Sequence, residues 1–246
     1  MSFDWSIVAQ YLFSSYLLEG VWITLELSIL AQVIGIVLGT IMALGRTTRN
    51  PLFYLPAKFY IWFFRGTPVY VQLLFWFNAF SKVSPFYVGL LALSLNEGAY
   101  MAEIVRAGIE SVDKGQMEAA HSLGMTTGLA MRRIVLPQAA RVIIPPTGNE
   151  FISMLKTSSL ASAVSLNELL LHAQNIYNSA DPNTAGAAHV LELLTVASIY
   201  YLILTTIFSI GQAWLESRLG DRRAASRRSP RAWMTSVLSL GGAVRR

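Results

Sequence analysis

Apolar residues fall into five long blocks, at 20–44, 52–80, 85–105, 142–165 and 190–213, separated by shorter polar stretches. Each block reaches the roughly 20 residues that a helix needs to cross a hydrocarbon core about 30 Å thick. None alternates strictly between apolar and polar positions, as a barrel strand would. The pattern predicts an all-α fold: a polytopic helical membrane protein with about five transmembrane helices. Two places depart from the plain pattern. Within the second block, Arg65, Gly66, Thr67 and Pro68 stand together; a proline shortly after a glycine there breaks or kinks a helix and frees backbone groups to face a cavity. Between the third and fourth blocks lies a half-polar insert, EAAHSLGMTTGLAMRRIVLP at 118–137.

The insert reads as two short helices around a turn. Gly115 is expected to end the preceding helix, and 116–123 to form two helical turns. Ala119, Ala120 and Leu123 then share one side, where small side chains allow close approach. Gly124 suits the left-handed conformation that stops a helix. Thr126 or Thr127 caps a second helix running through Ile134 and Leu136, and Pro137 is expected to end it. On these residues alone, an amphipathic loop resting on the membrane surface fits equally well. After the fourth block, SLNE at 165–168 has the form of a capping box opening a short helix over 166–177. On the residues, that is a surface helix closing one end of the bundle.

Composition agrees with the pattern. Hydrophobic residues make up 54% of the 246 and charged residues only 13%, about half the charge of an ordinary soluble domain. With no cysteine, disulfides, thiolate nucleophiles and cysteine metal sites are excluded. His121, His172 and His189 lie in separate segments without an HExxH pair, so no metal site is expected. The glycine-rich stretch at 39–45 lacks the lysine of a phosphate-binding loop, so ATP chemistry is not expected in this chain. The basic residues are distributed unevenly. Arg46, Arg49, Lys58, Arg106, Lys114, Arg132, Arg133, Arg141 and eight arginines from Arg218 onward fall on one side of a five-span arrangement; only Lys82 falls on the other. That bias places the N-terminus outside, and the insert and C-terminus in the cytoplasm. Eight of the arginines lie in 218–246 against one acid, Asp221. A tail over 217–246, basic, disordered and resting on anionic lipid, is expected rather than a nucleic-acid-binding surface.

Glu118, Ala119, Ala120, Gly124, Ile134, Leu136 and Pro137 fall at the spacing of the EAA loop. The segment resembles that loop in the membrane-spanning permease subunits of bacterial binding-protein-dependent ABC importers. RGTPVYVQ at 65–72, LSLNEGAYMAEIVRAGI at 93–109 and GNEFISMLKTSSLAS at 148–162 are similar to the polar amino-acid branch of that family. The resemblance runs over about 19–216 and identifies 1–216 as the transmembrane domain. It implies that the insert is a coupling helix seated in a groove of a separate ATPase dimer, which would hold ATP and Mg; no cofactor is expected in this chain. It further implies a second permease subunit, the same chain or a similar one, and an extracytoplasmic amino-acid-binding protein meeting the 166–177 side. A multi-pass location in the bacterial cytoplasmic membrane follows, with a polar amino acid as cargo. Glu118 then becomes the docking charge for a basic residue of the ATPase.

Polar residues inside the apolar blocks are the remaining candidates. Intramembrane charges are costly and mark pathways, which points to Arg65, Gly66, Thr67, Pro68, Asn96, Glu97, Asn149, Glu150 and Lys156 as the substrate path. A zwitterion needs a cation for its carboxylate and an anion for its amine; Arg65 or Lys156, with Glu97 or Glu150, supply them. The alternative for Arg65 is a packing ion pair with Glu97 or Glu103. A secondary transporter is disfavoured by the lack of internal repeats, and a membrane enzyme by the lack of a nucleophile–base or metal constellation.

Overall fold

The computed structural model describes residues 3–48, 50–179 and 189–219. The basic tail beyond 219 lies outside the described residues. Among these residues every regular element is helical.

A short helix α1 (Trp5–Tyr11) begins at Asp4, whose carboxylate accepts from the Ser6 amide at 2.8 Å. Helix α2 (Ser15–Thr47) has 33 residues, about 50 Å at 1.5 Å per residue. It therefore overreaches a hydrocarbon core. The second apolar block is two helices, α3 (Pro51–Gly66) and α4 (Val69–Ala79). The interruption falls at Thr67 and Pro68, where the sequence places it. Helix α5 (Pro85–Glu110) returns. The insert follows as α6 (Lys114–Ser122) and α7 (Thr127–Ala130), then a π turn (Met131–Val135) that runs directly into α8 (Leu136–Thr157). A 3-10 segment (Ser158–Val164), α9 (Leu169–Tyr177) and α10 (Val190–Leu219) complete the chain. Of the described helices, α2, α5 and α10 are long and apolar enough to cross a membrane individually. The second and fourth apolar blocks are instead divided between segments, α3 with α4 and α8 with its 3-10 extension.

Three local expectations are corrected. Gly115 does not end a helix: Asp113 caps α6 by accepting from the Gly115 amide at 2.6 Å, so glycine sits in the first turn. Pro137 does not end the second insert helix either. It lies second in α8, inside the continuing helical run, and the preceding π turn widens the helix where the proline ring would otherwise meet the Arg133 carbonyl. The capping box at 165–168 does not form, because Ser165 is left-handed with φ 57°. Glu168 is itself the cap, accepting from the Leu170 and Leu171 amides at 3.0 and 2.9 Å.

Helices α2 and α5 form the central pair. Gln32 meets Glu97, Gly35 meets Gly98, and Gly39 meets Met101 and Ala102. The near-constant offset makes the two helices parallel. A Cβ at Gly39 would stand 2.5 Å from the Met101 Cβ and 2.8 Å from the Ala102 amide, so the backbones touch only because glycine is there. Three apolar clusters succeed one another along α2. Leu17 packs with Leu169, Leu193 and Tyr200; Leu27 and Ala31 pack with Leu73, Leu93 and Met154; Ala43 packs with Met101 and Val105. The first cluster marks the end carrying α1 and α9. The third marks the end from which α6 and α7 project.

Candidate functional site

Two groups of residues are the site candidates, one at each of two levels of the bundle. At the projecting end, α6 stops in a Schellman arrangement: the Gly124 amide donates to the His121 carbonyl at 2.9 Å and the Met125 amide to the Ala120 carbonyl at 3.0 Å. Both bonds require the left-handed residue between them, and Gly124 has φ +77°. Thr126 then caps α7, its hydroxyl accepting from the Leu129 amide. Gln138 of α8 reaches back to the Ile134 carbonyl at 3.0 Å and toward Gln116 of α6.

The surface of this unit differs from the face read off the sequence. Ala120 is 1% exposed, its small side chain spent inside the chain's own helix pair. Glu118 and Ala119 are exposed, and Leu123 is 82% exposed, with Leu129 and Leu136 also open. Ile134 is half-buried, and Pro137 exposed. Leu123, Leu129 and Leu136 thus leave apolar surface open on this unit, beside a Glu118 carboxylate that makes no ion pair among the described residues.

Near mid-bundle, the break between α3 and α4 carries the second group. Gly66 and Pro68 are exposed and Thr67 half-buried. Arg65 is exposed in the last turn of α3, with its guanidinium 5.3 Å from the centre of the Tyr100 ring. Among the described residues it makes no ion pair, so the packing-pair alternative with Glu97 or Glu103 is not what is observed. Glu103 is bound by Arg106 at 2.6 Å. Glu150 is half-buried on α8. On α8, Asn149, Ser153 and Lys156 are exposed at positions four and three apart, forming one stripe of that helix.

Glu97 is placed differently from the rest. It is 4% exposed, accepts from Gln32 Nε2 at 3.0 Å, and packs its Cβ and Cγ where Gly35 leaves room. It therefore faces α2 rather than the Arg65 side. Asn96 donates from Nδ2 to the Phe64 carbonyl at 3.0 Å, so it is tied to the helix break. Gln32 and Gln72, both buried, were not singled out by sequence reasoning. A lone glutamine inside an apolar run was the available signal.

A family model described as "Binding-protein-dependent transport system inner membrane component" matches residues 35–221, taking in the helix break, α8 and the whole projecting unit. The chain belongs to this family. It is a permease subunit of binding-protein-dependent ABC importers, a non-catalytic, multi-pass inner-membrane component. Among its relatives, the arginine transport system permease protein ArgU of Corynebacterium glutamicum is 40% identical over 232 residues, covering 87% of this chain and 72% of that one. The L-cystine transport system permease protein TcyB of Bacillus subtilis is 39% identical over 229 residues, covering 90% and 93%. Among solved structures, an amino acid ABC transporter crystallised with histidines superposes with a TM-score of 0.80 at 36% identity, covering 89% of this chain and all of that one. A permease subunit is thus what the helix break and the projecting unit have to serve.

Proposed function

We propose that this permease carries a polar amino acid inward, along a path lined by 65–68 and the exposed stripe of α8. The observation that carries the reading is the exposure of Arg65, Asn149 and Lys156 at mid-bundle level. Charge open to lipid at that depth is costly, so this face is covered by a second permease subunit, the same chain or a similar one, with the path between them. Arg65 and Lys156 offer cations for a carboxylate, and Glu150 an anion for an amine. Asn96 and Glu97 act from behind this face rather than on it. Relatives named for arginine, cystine and glutamine support an amino acid as cargo.

The projecting unit is the coupling element. Glu118, Ala119, Gly124 and Leu123 present its surface to a separate ATPase dimer, which binds ATP and Mg; Ala120 and Ile134 pack it against the chain's own helices, and Leu136 and Pro137 continue its open surface at the start of α8. An extracytoplasmic binding protein delivers cargo at the α9 end. The N-terminus lies outside and the α6–α7 end in the cytoplasm, on the basic-residue bias.

The test is reconstitution of the chain in lipid vesicles with an ABC ATPase and an amino-acid-binding protein from the same genome. ATP-dependent uptake of labelled L-arginine, L-glutamine or L-cystine is expected, and Arg65→Ala is expected to abolish most of it while the subunits still co-purify. Undiminished uptake by a stable Arg65→Ala complex removes the path from this face. Single cysteines at Thr127 should resist an impermeant thiol reagent in intact cells; labelling there inverts the topology.

A further inference from the structure

Pro68 has no N–H, so the carbonyl four residues before it, that of Phe64, loses its helical donor. Phe63 is served locally by the Thr67 hydroxyl at 2.9 Å. The Phe64 carbonyl, buried with its residue, is served from two other helices. Gln72 Nε2 of α4 lies 3.0 Å from it, and Asn96 Nδ2 of α5 also lies 3.0 Å from it. The same Gln72 nitrogen is 3.0 Å from the Thr67 carbonyl and 2.8 Å from the Thr67 hydroxyl. Asn96 leans on Gln72 as well, 3.4 Å from its Oε1. Gln72 is buried, and its amide joins the end of α3, the connecting residues and the start of α4.

We propose that Gln72 and Asn96 are positioning residues that set substrate affinity by fixing the backbone at 65–68, without touching substrate. The inference rests on the path reading given above. A broken helix in a membrane has exposed backbone groups that solvent cannot satisfy, and several alternative ways of closing the break. The two amides select one of them. They do so through one shared carbonyl, which makes a specific pattern of non-additivity expected. Arg65 and Thr67 are then held in one geometry before cargo arrives, and misplacement of such a contact by about 1 Å costs up to roughly a hundredfold.

The experiment uses the complete permease–ATPase complex, purified in detergent without the binding protein, whose own affinity would otherwise mask the permease site. The probe is whichever of L-arginine, L-glutamine and L-cystine the wild-type complex imports in vesicles. Gln72→Met keeps the volume and removes every bond; Asn96→Leu does the same on α5. Each should raise the equilibrium Kd for the probe roughly tenfold, with subunit co-purification and basal ATP hydrolysis retained. The double variant should be no worse than about twice the weaker single variant, since both act on one carbonyl. Unchanged Kd in both single variants, multiplying effects, or a loss confined to thermal stability overturns the positioning role. If Arg65→Ala weakens probe binding while Gln72→Met does not, only this inference fails. If Arg65→Ala binds normally, or none of the three amino acids is imported, the path reading fails and takes this inference with it.

Discussion

Replacing Gly124 isolates the cost of one backbone conformation. No heavy atom lies within 4 Å of where a Cβ on this residue would sit, so steric contact contributes nothing. What remains is the left-handed backbone at φ +77°, which costs an ordinary L-residue about 1–2 kcal/mol. Asparagine enters this region several times more readily. The two bonds at stake, from the Gly124 and Met125 amides, hold α6 at a fixed angle to α7. A loss of about 1–2 kcal/mol changes the equilibrium of that turn by a factor of roughly 5–30. Because only the correctly turned unit docks, apparent affinity for the ATPase falls by up to that factor. The expected order is Gly124, then Gly124→Asn, then Gly124→Ala, with Gly124→Val weakest. Hydrogen exchange over 114–126 should follow the same order, and the melting temperature of the transmembrane bundle should not move, since the unit packs outside the three apolar clusters. ATPase affinity and exchange in Gly124→Ala equal to those of the unaltered chain would refute the reasoning.

Three further outcomes are expected. Glu118→Lys should leave membrane insertion intact while lowering co-purification of the ATPase and its salt-sensitivity, because the carboxylate is exposed and bears on association alone; unchanged co-purification removes Glu118 from the docking face. Gly39→Leu should force α2 from α5, costing about 1–3 kcal/mol as in an overpacked core, and should show as a lower unfolding temperature in detergent; an unaltered transition would mean the two helices are not in backbone contact. Glu168→Ala removes a buried cap on α9 that also accepts from the Tyr201 hydroxyl at 2.6 Å, so α9 should lose protection from exchange at a cost of about 1–2 kcal/mol; Glu168→Gln, which can still accept, should lose less, and equal effects of the two would contradict the capping role.

The sequence announced those features whose cause is local. Glycine followed two residues later by proline marked the break at 65–68, and Gly124 marked its turn, because each depends on its own φ. Pro137 is ambiguous for an equally local reason: proline marks a helix start as well as a stop, and only the π turn before it decides between them. The capping box failed because a left-handed Ser165 moved the helix start to Glu168. Residues whose role depends on distant partners were the ones left unplaced. Nothing near Glu97 in the chain says that it turns toward Gln32 on α2. Nothing near Gln72 says that the carbonyl it serves was orphaned by Pro68.

The absence of a loop between α7 and α8 has a mechanical consequence. From Thr127 to Lys156 the chain is one helical run, its π turn included, so there is no slack to absorb a push. The weak point is Pro145–Pro146, about 28 Å from the α7 end at 1.5 Å per residue. There the Gln212 side chain of α10 bonds the Pro145 carbonyl and presses against Gly148, like a pin through a crank. A tilt of about 5° about that pin would sweep the α7 end through some ~2 Å. The same stroke would swing Glu150 by about 0.6 Å and Lys156 by about 1.4 Å, on lever arms roughly four and roughly two times shorter.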